Sequence, residues 1–490
     1  MLKSSDTFRC IAVDMGASSI RIMLGMMGPG GLIHRELRRV DNGAILHEGH
    51  ERWDITSIFN EITAGIEEAV KQSEGPISSI GVDAWGVDFA LLDEKGALLE
   101  LPVSYRDQRT EGMQDRWNRE MSPLETFQRT GINFYLFNTL YQLLSMRGSA
   151  RLTRASRLLF IPSYISYLLT GKAINELTIA STSQMLAVEG QRWDPEILHK
   201  LGILEEMLGP LAQPGTRLGR IARRNEDGSP IEGVAVCGHD TASVVAAIPV
   251  EEPGSVFISA GTWCIVGMES EAPLLQEEVF QNGFTNERGY GNRYRILKNI
   301  VGLWLLQGLK KRFQEISTYE QMEELALESG PEDLFIDPDD QGFYNPADMK
   351  EAFDAFFQQT GQQPPSNPGG YIQCAYRSLA FSFRYHIELL ERLSGRRCNV
   401  IHVVGGGSRS DYLNQEISDI CYRPVISGPV EAATAGNILV QAVTMGKLGS
   451  LGEGRAFVRE VAPLKKYWPG REPGMVKQQY QKYLSIKHNN

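Results

Sequence analysis

The chain has 490 residues, 42% of them hydrophobic and 22% charged, with a formal net charge of −11. That length allows about two to four domains, each able to bury a core of its own. The acidic balance is spread along the chain, which argues against nucleic acid as the main partner because a phosphate backbone needs a basic face, while a small anionic ligand needs only local donors.

No secretory signal is expected, since Met1 to Arg9 is polar and the apolar run that follows carries Asp14. No stretch approaches the ~18 uninterrupted apolar residues of a membrane span. The six cysteines (10, 237, 264, 374, 398 and 421) are scattered with no C-x-x-C pair, and the eight histidines show no metal-ligand spacing. A reduced, cytoplasmic setting without structural zinc is therefore expected.

Cys10 to Leu24 reads as a β-hairpin whose turn carries Asp14, Gly16, Ser18 and Ser19. Backbone N–H groups and hydroxyls in such a turn can hold phosphate oxygens, and Asp14 can hold hydrated Mg²⁺; a plain surface turn explains the segment equally well. Asp54 caps a helix with Ile55, Ile58, Phe59, Ile62, Ile66 and Val70 on one face. Ile77 to Val82 reads as a buried strand ending in Asp83, Trp85, Gly86 and Asp88, with Lys95-Gly96 closing a hairpin. Trp85-Gly86 offers a flat apolar wall beside bare backbone, or simply a core Trp and a turn glycine. Arg106, Asp107, Arg109 and Thr110 read as a helix start, with Asp107 or Thr110 as cap, or as part of a substrate site.

Residues 111–231 show mostly helical patterns broken at Gly131, Pro162 and Gly171, with a polar loop from Arg223 to Gly228. Val234-Ala-Val then runs through a Gly238 turn into a helix of small and β-branched residues to Ala247, lifting His239, Asp240 and Thr241 out of apolar surroundings. Ser255 to Gly267 repeats the first hairpin loosely: Ser259-x-Gly261-Thr262 matches Asp14-x-Gly16-x-Ser18, without the carboxylate. An apolar helix is expected from Ile300, with Asn299 at its start and Gln307 two turns on. Residues 330–370 read as loop, and Ile372 to Leu393 as a long amphipathic helix. Val404 leads into Gly405-Gly406-Gly407 and a helix capped by Ser410 or Asp411, where bare backbone and a helix N-terminus suit a nucleotide. Gly428 to Asn437 opens a last core helix on the nucleotide side, and a polar helix from about Met475 closes the chain.

Together these segments resemble the FGGY carbohydrate kinases. The likeness is carried by Val13–Ser19, Asp83–Phe89, Tyr105–Thr110, Gly238–Ser243, Ser259–Trp263, Leu297–Gln307, Val404–Gly407 and Gly428–Ala432, in order along nearly the whole chain. The resemblance implies an α/β protein of two actin-like ATPase (ribonuclease-H-like) domains, each a mixed β-sheet flanked by helices, with the active site in the cleft between them. The domains would run over 1–248, the sugar and phosphate-turn side, and 249–490, the nucleotide side.

By the same resemblance, Asp240 is the proton acceptor, and Gly86, His239, Asp240, Thr241 and Asn299 hold the sugar. Ala17, Ser18, Ser19, Ile20 and Arg21 line the ATP phosphates; Thr262, Gln307, Gly405, Gly406 and Gly407 contact the nucleotide; Asp14 holds Mg²⁺ through water. Similarity is greatest to the branch acting on L-rhamnulose, which implies phosphorylation of its C1 hydroxyl; L-fuculose and L-xylulose are alternative ketoses. The implied partners are ketose and ATP, with no nucleic acid and no membrane, for a monomer or homodimer. Ile20 departs from the family's glycine before Arg21, and Asn286-Glu-Arg-Gly-Tyr-Gly departs from the relatives' Asn-Glu-Gly-Gly. A non-catalytic sensor on the same fold is the alternative from another class; the presence of Asp14, Asp240, Thr262 and the glycine triplet speaks against it.

Overall fold

A computed structural model describes residues 7–251, 254–330 and 333–488, so Met1–Asp6 of the polar N-terminal stretch lie outside the described residues. The chain forms two compact units, neither continuous in sequence. One comprises Met1–Pro249, Glu269–Ile296 and Ala432–Ala462; the other comprises Val250–Met268, Leu297–Glu431 and Pro463–Asn490. Among the described residues no helix is long and apolar enough to cross a membrane.

In the first unit, six strands lie in the order Thr216–Arg224, Pro230–Ala235, Ser79–Ala84, Phe8–Met15, Ser19–Gly28 and Gly31–Asp41. The sheet is mixed: Phe8–Met15 pairs in parallel with Ser79–Ala84 and antiparallel with Ser19–Gly28. Alternation along one strand assigns its two faces. Ile11 and Val13 join the core under helix Ile55–Gln72, with Ile22, Ile58, Ile62 and Ile66. Cys10 and Ala12 join the opposite core, with Met23, Val234, Val236 and residues Ile438 to Ala442 of helix Ala432–Thr444. Each fully buried Val, Leu, Ile or Met among them contributes roughly 1.5–3 kcal/mol. Asp54 caps the first helix as expected, accepting from Ser57 N at 3.0 Å.

In the second unit, Ser255–Ala260 pairs antiparallel with Trp263–Ser270 and in parallel with Val400–Val404. Val400–Val404 pairs in parallel with Val425–Ser427, which pairs antiparallel with Lys465–Tyr467. The 27-residue helix Pro368–Ser394 has Asn367 as its cap, accepting from Gly370 N at 3.0 Å. Both units thus carry the expected mixed sheet with flanking helices.

Several local expectations change. Ile300-Val301 continues the strand Tyr294–Val301, because β-branched residues suit an extended backbone, and the helix begins only at Trp304. Asn299 is therefore a strand residue and Gln307 lies in the first turn of helix Trp304–Arg312. The stretch 330–370 contains helix Met349–Gln359, capped by Asp348, with Met349, Phe353, Phe356 and Phe357 buried at helical spacing. Phe89–Leu92 pairs with Arg157–Phe160 and touches Leu98 only through an isolated bridge at Leu92, so Lys95-Gly96 closes a minimal hairpin. Pro162 starts helix Ile161–Thr170 rather than breaking one, as proline tolerates a first turn whose N–H groups lack partners. Thr216–Arg224 is a strand, leaving only the turn before Pro230 as loop. Helix Ala432–Thr444 is not the last, and it belongs to the first unit, where its small residues allow a tight crossing with helix Asp240–Ala247. A Cβ at Gly436 would lie 1.8 Å from Ser243 O.

Candidate active site

The turn from strand Pro230–Ala235 into helix Asp240–Ala247 is tied down by a buried acid. Glu176 Oε2 accepts from Gly238 N at 2.8 Å and from Thr178 Oγ1 at 2.6 Å, while its Oε1 accepts from Thr178 N at 2.8 Å. Burial pushes the Glu176 carboxyl above its ordinary range, against these donors. A Cβ at Gly238 would stand 2.8 Å from Glu176 Oε2, so glycine is needed there. Gly238 O accepts from Ala84 N at 2.9 Å, which joins the turn to the end of strand Ser79–Ala84.

His239 is the helix N-cap and makes no side-chain capping bond; Asp240 is the first helical residue. Asp240 therefore does not do the capping work that its position in sequence suggests. Its Oδ1 accepts from Thr241 N at 2.5 Å and Thr241 Oγ1 at 3.1 Å, and lies 3.4 Å from His239 Nε2. No described residue donates to its Oδ2, and a third of the side chain is exposed (33%). One carboxylate oxygen is fixed and the other is open.

Beside this turn, Gly86-Val87-Asp88 makes a three-residue turn closed by Asp88 N to Gly86 O at 2.9 Å. Val87 has φ +67°, a strained value for a β-branched residue. Three contacts over-determine it: Val87 N donates to Thr182 Oγ1 at 3.1 Å, and Val87 O accepts from Thr139 Oγ1 at 2.6 Å and Gln142 Nε2 at 3.4 Å. Asp88 is fully buried and accepts from Trp53 Nε1 (2.6 Å), Trp85 Nε1 (3.0 Å), Tyr105 N (3.1 Å) and Gln142 Nε2 (3.1 Å). Burial raises its pKa to about 6 despite those donors. Trp85 is itself a core residue, 5% exposed, tilted against Trp53 at 4.4 Å. Trp85 therefore offers no open apolar wall, and Gly86 beside it presents bare backbone. Arg109 is drawn into this core, donating to Gln142 Oε1, and burial pulls its pKa down to about 10. Arg106 instead donates to Tyr105 Oη at 3.1 Å.

The first hairpin places Asp14 opposite Arg21 and Met15 opposite Ile20. Gly16 N donates to Ser19 O at 2.9 Å, and Asn42 braces the turn through Nδ2 to Gly16 O at 2.8 Å and N to Ser18 O at 2.9 Å. Ser18 is exposed at the apex. The Ile20 side chain is buried in the core, so only its backbone is left to make polar contacts in the turn. Asp14 pairs with Arg21 and lies beside Asp83 on the neighbouring parallel strand. One stripe of helix Ala432–Thr444 holds this acid pair: Thr434 Oγ1 donates to Asp14 Oδ2 at 3.4 Å, and Asn437 Nδ2 to Asp83 Oδ2 at 2.5 Å. Gln441 completes the stripe, donating to Ile11 O at 3.0 Å and accepting from Ser79 Oγ at 2.7 Å. Burial, and then the Asp14 charge, push Asp83 well above the usual carboxylate range.

In the second unit, the hairpin turn at Gly261-Thr262 is clamped by the chain after strand Tyr294–Val301. Leu303 N donates to Gly261 O at 2.9 Å, and Gln307 Nε2 to Thr262 Oγ1 at 3.2 Å. Gly302 permits this approach, since a Cβ there would meet Cys264 Sγ at 2.5 Å. Asn299 is half-buried. The glycine triplet divides by role: Gly405 takes φ +80°, a Cβ at Gly407 would stand 2.5 Å from Ala260 Cβ, and only Gly406 is exposed with space around it. Ser410 rather than Asp411 caps the following helix, accepting from Leu413 N at 3.0 Å.

The first unit thus gathers Asp14, Ala17 to Arg21, Gly86 and His239 to Thr241, while the second carries Thr262, Asn299, Gln307 and Gly405 to Gly407. Against known proteins, the N-terminal domain of the FGGY family of carbohydrate kinases matches residues 9–248 and the C-terminal domain of the same family matches residues 256–445. The chain belongs to the FGGY family of carbohydrate kinases. ATP is the phosphoryl donor that membership implies. The chain is 37% identical over 463 residues to a rhamnulokinase of Bacillus subtilis (strain 168), covering 94% of this chain and 95% of that one. It is 39% identical over 466 residues to a rhamnulokinase of Bacteroides thetaiotaomicron, at 94% and 95% coverage. In fold, it matches a Plasmodium falciparum glycerol kinase with ADP (TM-score 0.82, 13% identity, 99% of this chain and 98% of that one). It also matches a ligand-bound xylulose kinase from Lactobacillus acidophilus (TM-score 0.79, 17% identity, 98% of each). These FGGY kinase structures share the two-domain α/β architecture.

Sequence reasoning gave no role to Glu176, Asp88, Asn437, Glu287 or Arg295. Each is an ordinary polar residue in its own segment, and the partners that give it a role lie mostly in other elements. Cys237 is a buried thiol that burial and the nearby Glu176 carboxylate push well above its ordinary range, consistent with packing.

Proposed function

We propose that the protein transfers the γ-phosphoryl group of ATP to the C1 hydroxyl of L-rhamnulose, giving L-rhamnulose 1-phosphate and ADP in L-rhamnose catabolism. The substrate follows from relatives named rhamnulokinases that match this chain nearly end to end. The chemistry rests on one observation: Asp240 Oδ1 is held by Thr241 while Oδ2 has no donor among the described residues. An alcohol is too weak an acid to be deprotonated beforehand, so Asp240 orients the hydroxyl and takes its proton late, as the bond to phosphorus forms.

His239, Thr241, Gly86 and Asn299 hold the sugar. The turn from Ala17 to Arg21 offers N–H groups and hydroxyls to phosphate oxygens. Thr262, Gln307 and Gly405 to Gly407 contact the nucleotide, Gly406 by its open backbone. A functional division into residues 1–248 and 249–490 belongs to the same reading. Mg²⁺ fits the donors present: Asp14 and Asp83 supply hard oxygens on paired strands, and the buried Asp83 Oδ1 has no hydrogen-bond partner among the described residues. Mg²⁺ dehydrates reluctantly, so it would keep most of its waters and be held by Asp14 through one of them. When bound it would neutralise phosphate charge. A cytoplasmic setting is supported by six cysteines, all buried and none in a disulfide.

Coupled ADP release, measured over L-rhamnulose, L-fuculose and L-xylulose, tests the reading. L-Rhamnulose should give the highest kcat/KM, and ADP release that no ketose stimulates would sink the proposal. Asp240→Asn should lower kcat by about 10²–10⁴-fold with an unchanged thermal midpoint; near wild-type turnover would remove Asp240 as the proton acceptor.

A further inference from the structure

Arg295 Nη2 lies 3.1 Å from His239 Nδ1 and 2.8 Å from Glu287 Oε2. A guanidinium has N–H donors and no acceptor, so both contacts run the same way: Nη2 donates, and Nδ1 and Oε2 accept. Its two hydrogens serve one acceptor each, and they come between a nitrogen lone pair and a carboxylate oxygen that are themselves only 3.1 Å apart. Arg295 is fully buried, its Nε donates to Arg288 O at 2.9 Å, and Glu287 balances its charge. With Nδ1 accepting, the imidazole carries its proton on Nε2, because the partner of one ring nitrogen sets the state of the other. The surroundings of Nε2 agree. It lies 3.4 Å from Asp240 Oδ1, a carboxylate oxygen that suits a proton and not a second lone pair. A Cβ at position 86 would come to 3.4 Å from Nε2, so the missing side chain of Gly86 leaves room beside that N–H. All of these residues belong to the first unit.

We infer that Arg295 is a positioning residue that holds His239 in its Nε2–H form, so that the imidazole donates a hydrogen bond to a ketose oxygen beside Asp240. The inference rests on the placement of His239 at the sugar site. Arg295 does not touch the reacting atoms in this arrangement; it acts through the imidazole. The same contact keeps His239 from competing for the proton of the ketose hydroxyl, since Nε2 already carries one, and leaves Asp240 as the acceptor. Without the guanidinium, Glu287 Oε2 would be the partner 3.1 Å from Nδ1 and would draw the ring proton there, turning a lone pair on Nε2 toward Asp240.

The test uses the full-length protein carrying ¹⁵N-labelled histidine. Long-range ¹H–¹⁵N correlation reports which ring nitrogen carries the proton, and the His239 signal is identified by its loss in His239→Gln. The wild type should show the Nε2–H pattern, with the Nδ1 signal displaced from that of an unbonded ring nitrogen by the bond from Arg295. In Arg295→Met the proton should appear on Nδ1, KM for the ketose should rise about tenfold or more, and KM for ATP should stay unchanged. A wild-type His239 with a proton on Nδ1, or with an unbonded Nδ1, overturns the inference even if Arg295→Met fails to fold. So does a folded Arg295→Met in which Nδ1 stays free of a proton or KM for the ketose keeps its wild-type value. Failure of the wild type to phosphorylate any ketose would refute the functional reading, while the tautomer result would still decide whether Arg295 sets the state of His239.

Discussion

At the scale of single residues, two buried carboxylates shift in opposite directions because their partners differ. Asp88 has only neutral N–H donors, and burial carries it up to about 6. Burial opposes the ionised form of Glu287 as well, but the Arg295 guanidinium and His239 outweigh it and bring the group down to about 2 from an ordinary value of 4.5. The linkage has a definite sign. Stability from Glu287 is present above the ordinary value and is lost as pH falls toward about 2; that from protonated Asp88 is present at low pH and is lost as pH rises through about 6. In urea unfolding, the stability advantage of wild type over Glu287→Gln should therefore shrink between about pH 5 and about pH 3. A constant or widening gap would mean that Glu287 is not held ionised by its neighbours.

Among the elements, similar sequence features turn out to serve different physical needs. The two hairpin turns look alike in sequence, but the first is braced by the Asn42 side chain and the second by the backbone of Leu303. On the proposed reading, the glycine triplet separates folding from binding within three residues. Gly407→Ala should destabilise the protein by ~1–3 kcal/mol through overpacking against Ala260. Gly406→Ala should leave the thermal midpoint unchanged and raise KM for ATP about tenfold, the scale of one lost contact. Equal loss of stability in both variants would contradict the division. Helix Ala432–Thr444 shows the same economy: its alanines and Gly436 pack closely, while Thr434, Asn437 and Gln441 on one stripe satisfy the acids and backbone at the strand ends.

For the whole molecule, the consequence is that neither unit is a contiguous piece of sequence. The sheet face formed by Cys10, Ala12, Met23, Val234 and Val236 is covered by a helix about 200 residues beyond Val236. Residues 1–249 expressed alone would leave that apolar face open and Asp14 and Asp83 without Thr434 and Asn437. Such a fragment should show no cooperative thermal transition and should bind a hydrophobic dye. A sharp transition in the isolated fragment would show that this helix is dispensable to the first unit.

The local patterns of the chain determine a large part of this protein. The 3.6-residue period from Ile55 to Val70, the repeated hairpins, the strand-turn-helix around Asp240 and the glycine triplet all depend on neighbours in sequence, so they are legible there. Ile300-Val301 misleads because an apolar run fits helix and strand alike, and only its place in a sheet decides between them. The roles of Glu287, Arg295, Asp88 and Asn437 come mostly from partners 8 to 354 residues away, and no local period encodes a contact of that kind. Asp240 is visible as an acid at a helix start from sequence alone. That one of its oxygens is tied and the other open, and that its neighbour His239 lies against Glu287 and Arg295, was decided by the tertiary structure, because hydrogen bonds and burial depend on distance in space.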